Sequence, residues 1–177
     1  MKIAIIGTGR VAAALGKGWA ARGHMVTFAS RQPGSEKVVA LVEAAGPNAA
    51  AARVADAVAR SSIVVLAVPF SAAQETLAHA GDLSGKLLID CTNPIAPGLR
   101  SLYNGDRSGA EQIAAWAPGA RVVKAFNTTG AENMAQPRFG ADRAVMFLAG
   151  DDEPAKATVT ALGQALGFEM VDAGGLE

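Results

Sequence analysis

The chain has 177 residues, half of them hydrophobic, and its 16 basic side chains balance 16 acidic ones. That length and apolar content suit one domain with a substantial core, and no Lys/Arg cluster points to nucleic acid or an anionic membrane surface. The longest apolar runs, such as 63–70, are far too short to span a bilayer.

Residues 2–6 read as an apolar strand that turns on Gly7-Thr8-Gly9 into a helix carrying Val11, Leu15 and Trp19 at helical spacing. A second strand covers 25–29, and a helix runs from near Ser35 to Gly46-Pro47. A short strand lies within 49–53, a short helix follows over 55–60, and an apolar strand spans 63–68. Ser71-Ala72-Ala73-Gln74 has the pattern of a capping box that starts the next helix. Asp82-Leu83-Ser84-Gly85 turns into a strand over 87–90. The stretch 92–109 holds two prolines and three glycines and reads as the longest loop, a class that is often functional. A helix over 110–116, a strand over 122–126 and a short helix after Gly130 follow. The chain then reads as a strand over 144–149, a helix over 152–166 and a strand over 168–171. With no repeat and no linker, this alternation predicts one α/β domain over 1–177. Its expected core is a doubly wound, mostly parallel, Rossmann-like sheet of about eight strands.

The strongest motif is Gly7-Thr8-Gly9-Arg10-Val11-Ala12, a G-x-G-x-x-A run between the first strand and its helix. Gly7 permits a tight turn, Gly9 lets the backbone approach a pyrophosphate, and Ala12 and Gly16 are small enough for close helix–strand packing. Helix N-terminal N–H groups and the helix dipole favour the anion, so Gly7, Thr8, Gly9, Arg10 and Val11 are candidate cofactor-binding residues. The second strand ends in Ala29-Ser30-Arg31, and no Asp or Glu lies between Val26 and Ser35. An acidic residue there would hydrogen-bond a free ribose 2′-hydroxyl and repel a 2′-phosphate. Ser30 and Arg31 instead offer a hydroxyl and a planar donor fork, which points to NADP rather than NAD.

Ligands of open α/β sheets bind at the carboxyl ends of the strands. Ala67-Val68-Pro69-Phe70 would wall the cofactor. Asn93, Ala125 and Asn127 stand at two further strand ends, with Thr128 beside them, and Asn127 and Thr128 are candidate acceptor positioners. The same asparagines can equally cap their own loop backbone. Lys124 is open between a strand-end charge and a group reaching the cofactor. His24 and His79 read as surface residues, and Cys91 as a small core residue with no histidine near it in sequence. No metal-ligand spacing, serine elbow or paired-carboxylate motif is present. One cysteine excludes an internal disulfide, and a strand beginning at residue 2 leaves no room for a signal peptide, so a cytoplasmic location is expected.

Gly7-Thr8-Gly9, Ala29-Ser30-Arg31, Leu66-Ala67-Val68-Pro69 and Gly150-Asp151-Asp152 with Asp172-Ala173-Gly174 together resemble the coenzyme F420-dependent NADP oxidoreductase family. Val123-Lys124-Ala125-Phe126-Asn127-Thr128 is also similar to the cytosolic NADPH domain of the six-transmembrane ferric reductases. The resemblance implies an NADP-dependent oxidoreductase, with Thr8, Ser30 and Arg31 on the 2′-phosphate. Hydride would pass between the nicotinamide and a small-molecule acceptor carrying a deazaflavin (F420) or flavin (FMN) ring. Deazaflavin-using members tend to carry His at the position of Asn127. Members also continue past the Asp-Ala-Gly motif into a helical segment that helps form a dimer and the acceptor pocket. This chain is expected to lack that segment, and a homodimer is open. The alternative function is an NADP(H)-binding module without turnover of its own. The cofactor domain of a β-hydroxyacid-type dehydrogenase would need a helical substrate domain, for which the chain has no room.

Overall fold

A computed structural model of the chain describes every residue except 97, 99 and 102–106. Its first half alternates β1 (Lys2–Ile6), α1 (Arg10–Ala20), β2 (Met25–Ala29), α2 (Glu36–Ala45), β3 (Ala49–Ala52) and α3 (Val54–Ala59). Then come β4 (Ile63–Leu66), α4 (Phe70–Ala78), β5 (Leu87–Asp90) and a small pair, β6 (Ile95–Ala96) with β7 (Arg100–Ser101). The chain continues through α5 (Gly109–Trp116), β8 (Arg121–Ala125), α6 (Ala131–Ala135) and a second small pair, β9 (Arg138–Phe139) with β10 (Asp142–Arg143). It closes with β11 (Val145–Gly150), α7 (Glu153–Leu166) and β12 (Glu169–Asp172).

Eight strands form one sheet in the order β3-β2-β1-β4-β5-β8-β11-β12, parallel except where β11 runs against β8. The chain winds outward from β1 to β3, returns to the other side of β1 as β4, and winds outward again. That reversal between β1 and β4 is the topological switch point of a Rossmann-like sheet, where a crevice opens at the strands' carboxyl ends.

The period-two alternation of β1 sorts the core into two layers. Ile3 and Ile5 join Leu15, Trp19, Val159 and Leu162 on the α1–α7 side. Ala4 and Ile6 join Ala57, Phe70, Leu77 and Ile113 on the α3–α4–α5 side. The buried Trp19 indole Nε1 donates to the Leu162 carbonyl at 3.1 Å, so its polar atom is satisfied inside the apolar layer. Gly16 lets α1 approach the sheet: a Cβ there would stand 2.4 Å from the Phe28 ring.

The structure departs from the sequence expectations at four places. β4 ends at Leu66 rather than 68, because Ala67 N makes the last bond to the Ile6 carbonyl, at 2.9 Å, and Pro69 leads directly into α4. The capping box expected at Ser71 does not form. α4 already begins at Phe70 with Pro69 at its N-cap, which places Ser71 inside the first turn, where no side-chain cap is made. The capping box instead lies at α5, where Ser108 Oγ accepts from Glu111 N and the Glu111 carboxylate accepts from Ser108 N. The loop expected over 92–109 contains the antiparallel β6–β7 pair, and its positions 97, 99 and 102–106 lie outside the described residues.

Replacing Gly16 with Val is expected to lower stability by about 1–3 kcal/mol through overpacking against Phe28. A lower urea midpoint at an unchanged m-value is the signature. An unchanged midpoint would contradict the close packing of α1 on the sheet.

Candidate functional site

Gly7 leaves β1 with φ 128°, and a Cβ there would lie 2.3 Å from the Ala67 carbonyl oxygen. Glycine is therefore demanded twice, by backbone conformation and by the contact across the switch point. Beyond this contact opens a cleft of about 1140 Å³. Gly7, Thr8 and Gly9 form its base, with Ser30, Arg31 and Gln32 from the end of β2, and Ala67, Val68 and Pro69 from the end of β4. Ser35 and Lys37 at the start of α2, Arg53 after β3, and Glu75, Thr76 and His79 of α4 complete its polar lining.

Gly9 tests whether this cleft suits a dinucleotide. Its φ of −86° and ψ of −174° are open to any residue, and a Cβ there would meet nothing within 4 Å. The fold itself does not require glycine at this position; a ligand pressed against the backbone would. α1, which starts at the next residue, has no side-chain cap and no acidic residue in its first turn. Its leading N–H groups and positive dipole end are thus presented toward the space beside Gly9. These features fit a diphosphate.

Arg31 is exposed, and among the described residues its side chain makes no hydrogen bond or ion pair. Ser30 Oγ accepts from Gln32 N at 3.1 Å, which fixes the turn after β2 and leaves the hydroxyl proton available. Arg31, Lys37 and Arg53 face the cleft against one lining carboxylate, Glu75. The cleft is therefore basic in a chain of zero formal net charge.

Not every expected residue lies in this lining. Arg10 is exposed and pairs with Glu132 at 3.0 Å, bridging the start of α1 to α6. Val11 packs against the α1–α7 core layer, and Ala125 is buried within it. Phe70 turns inward, its ring 5.6 Å from that of Trp116.

Asn93 and Asn127 meet each other. Asn93 Nδ2 donates to the Asn127 carbonyl at 3.0 Å, and Asn127 Nδ2 donates to Asn93 Oδ1 at 3.1 Å. Thr128 Oγ1 lies 3.4 Å from Met146 Sδ. Beneath this pair, Lys124 Nζ reaches the fully buried Asp90 carboxylate at 2.8 Å and also donates to the Thr92 carbonyl. Asp90 and Lys124 are register partners on β5 and β8, so Lys124 is a strand-end charge that ties the two strand ends together.

Phe126, between Lys124 and Asn127, has φ 58° and is the one non-glycine with positive φ among the described residues. Ala125 and Phe126 consequently both turn into the same core layer. The Phe126 ring meets Trp19 edge-on at 5.6 Å and Phe168 at 6.2 Å. Cys91 is buried, and burial together with the neighbouring Asp90 charge raises its thiol pKa well above the ordinary value. It is a protonated core residue and a poor nucleophile.

Sequence reading missed Arg53 and Lys37. Arg53 follows a strand's carboxyl end, and that position alone was the available signal. His79, read as a surface residue, is exposed and stands on the cleft wall with Nδ1 2.8 Å from the Glu75 carbonyl. Among the described residues no three His, Cys, Asp or Glu side chains gather into a metal site, and no helix is long and apolar enough to cross a membrane.

The fold and its switch-point cleft are of the kind in which open α/β proteins hold a dinucleotide. The family model described as NADP oxidoreductase, coenzyme F420-dependent, matches residues 2–94, and the chain belongs to that family. Two solved structures are similar over 99% of this chain and 86% of their own. A hypothetical protein from Sinorhizobium meliloti is 31% identical with a TM-score of 0.90. A protein from Arthrobacter sp. FB24, named for F420-dependent NADP-reductase activity, is 32% identical with a TM-score of 0.88. The metalloreductase STEAP3 of Rattus norvegicus is 32% identical over 177 residues, 99% of this chain, and the chain spans 34% of that relative's length.

Replacing Gly9 with Val is expected to leave folding intact, since its Cβ is unopposed. The same change should abolish binding of NADPH and NADH alike by occupying the space of the diphosphate. Calorimetric titration beside a thermal melt checks both halves, and normal binding by a folded variant would place the cofactor elsewhere.

Proposed function

We propose that this chain binds NADPH in the switch-point cleft and passes its hydride to a deazaflavin (F420) or flavin (FMN) ring. One observation carries the reading: the Gly9 opening and the unpaired Arg31 guanidinium face one cleft, and β2's end bears no carboxylate. The Thr8–Val11 backbone and the start of α1 hold the diphosphate. Thr8, Ser30 and Arg31 hold the 2′-phosphate. Ala67, Val68 and Pro69 wall the cofactor on the side of β4 and direct it toward the ends of β5 and β8.

When bound, NADPH supplies the hydride, and a ring acceptor takes it without a general acid from the protein. The chain's task is then orientation. The two hydrogen bonds between Asn93 and Asn127 hold these side chains at a fixed position. Among the described residues each amide keeps an unused N–H, and Asn127 keeps its side-chain carbonyl, for a carboxamide or an acceptor ring. The Asp90–Lys124 pair beneath them fixes the two strand ends on which they stand. Breaking such a buried pair by removing one partner costs about 3–5 kcal/mol.

The second reading is an NADP(H)-binding module that turns over only with a partner or a second copy. It draws on the exposure of Asn93 and on the absence of both asparagines from the cleft lining. NADPH oxidation with F420 and with FMN offered separately decides between the two. Turnover with F420 supports deazaflavin chemistry, and turnover with FMN alone moves the assignment to a flavin or metal reductase. Tight NADPH binding without turnover supports the module, and absence of binding contradicts both readings.

Replacing Arg31 with Ala is expected to weaken NADPH binding at least several-fold, and by up to about 150-fold if a full charge-assisted hydrogen bond is lost. NADH affinity should stay nearly unchanged. Equal losses for the two cofactors would refute the phosphate role.

A further inference from the structure

β3 runs parallel to β2 with Ala52 beside Ala29, so Arg53 and Ser30 leave the sheet side by side. Ser30 N donates to the Ala52 carbonyl at 3.0 Å, which fixes these two exits relative to one another. Arg53 is exposed and occupies the N-cap position of α3, where its side chain makes no capping hydrogen bond. Among the described residues it forms no ion pair, although Asp56 lies one turn ahead. Its side chain lines the same cleft as Arg31 and Lys37. Two guanidiniums and an ammonium thus share the cleft with one lining carboxylate, Glu75, and among the described residues none of the three forms an ion pair. A concentration of unpaired cations at the ends of adjacent strands is an anion site, and a planar donor fork suits a phosphate.

We infer that Arg53 is a second specificity-determining residue, which binds the 2′-phosphate of the cofactor from β3 while Arg31 binds it from β2. The inference rests on the NADP(H) reading of the cleft and assigns to it a residue that neither the glycine motif nor the Ser30-Arg31 pair includes. Selectivity is then shared. Loss of Arg31 alone leaves a clear residual preference for the phosphorylated cofactor, and loss of both arginines leaves only the small part that Thr8 and Ser30 supply.

Adenosine 2′,5′-bisphosphate and adenosine 5′-monophosphate test this without an acceptor or a nicotinamide, because they differ at the 2′ position alone. Each is titrated calorimetrically into the wild-type chain and into the variants Arg53→Ala, Arg53→Lys, Arg31→Ala and the double alanine variant. Arg53→Ala should weaken the bisphosphate about three- to tenfold and leave the monophosphate unchanged. Arg53→Lys should recover part of that loss, and the double variant should show a smaller bisphosphate preference than either single alanine variant. Thermal melting should match the wild type, since among the described residues the exposed Arg53 side chain makes no hydrogen bond or ion pair. An unchanged bisphosphate affinity in Arg53→Ala overturns the assignment. An equal loss for both nucleotides also overturns it, because that pattern belongs to a guanidinium stacked on the adenine. If the wild-type chain itself fails to prefer the bisphosphate, the reading of the whole cleft falls and the assignment with it. If Arg53→Ala does not fold, the lysine variant against wild type decides on the same two-nucleotide ratio.

Discussion

Gly7 and the Ala67 carbonyl share a space that no side chain could enter. With φ 128° and the oxygen 2.3 Å from where a Cβ would stand, this contact brings the ends of β1 and β4 together at the point where the sheet reverses its winding. Almost everything functional follows from it. The turn after Gly7 starts α1 at the base of the cleft, and the chain after Ala67 leaves the sheet as the cleft's other wall. A second close approach, Gly16 against Phe28, seats α1 on the sheet, with its N-cap Gly9 in the cleft lining. Gly9 differs from both, because nothing in the protein restrains it. Glycines that the fold requires and one that it leaves open thus stand within ten residues of one another, distinguished by what a Cβ would meet.

The far side of the crevice is held by a different kind of interaction. Asp90 and Lys124 pair across β5 and β8, and the same ammonium takes the Thr92 carbonyl. Immediately beyond, Phe126 adopts a left-handed backbone at a cost of about 1–2 kcal/mol. Burial of its ring between Trp19 and Phe168 offsets that cost. The consequence is local: both Ala125 and Phe126 turn inward, and Asn127 comes out facing Asn93. Strain at a non-glycine residue next to a candidate ligand position is the pattern expected where the surrounding packing dictates the direction of a side chain.

What the sequence made legible was what is local in the chain. The glycine turn, the lack of acids after β2 and the helix ends at Gly46 and Gly167 each announce themselves within a few residues. The Ser30-Arg31 exit was readable for the same reason, since both residues directly follow a strand end and line the cleft. Pairings between distant segments were not readable. Asn93 with Asn127 and Arg10 with Glu132 are 34 and 122 residues apart, and nothing in either segment alone names its partner. Arg53 escaped notice because β3 is a run of four alanines whose end carries no motif. Ser71 shows the reverse failure. Its spacing to Gln74 copies a capping box, but the Pro69-Phe70 step had already begun the helix, so the hydroxyl stands in the first turn with no cap to make. The positive φ of Phe126 had no signal at all, since the residue is neither Gly nor Asn and its conformation is imposed by packing from α1 and β12's approach.

The central claim is that the phosphate-bearing half of NADPH lies on the Gly7–Val11 turn and the Ser30–Arg31 exit. Amide chemical-shift mapping of the isotope-labelled chain at saturating NADPH and at saturating NADH tests it most directly. Both cofactors should move the amides of residues 8–11, and NADPH alone should add strong shifts at 30–32. NADPH shifts that leave residues 8–11 unmoved would contradict the account, as would a pattern at 30–32 that is the same for both cofactors.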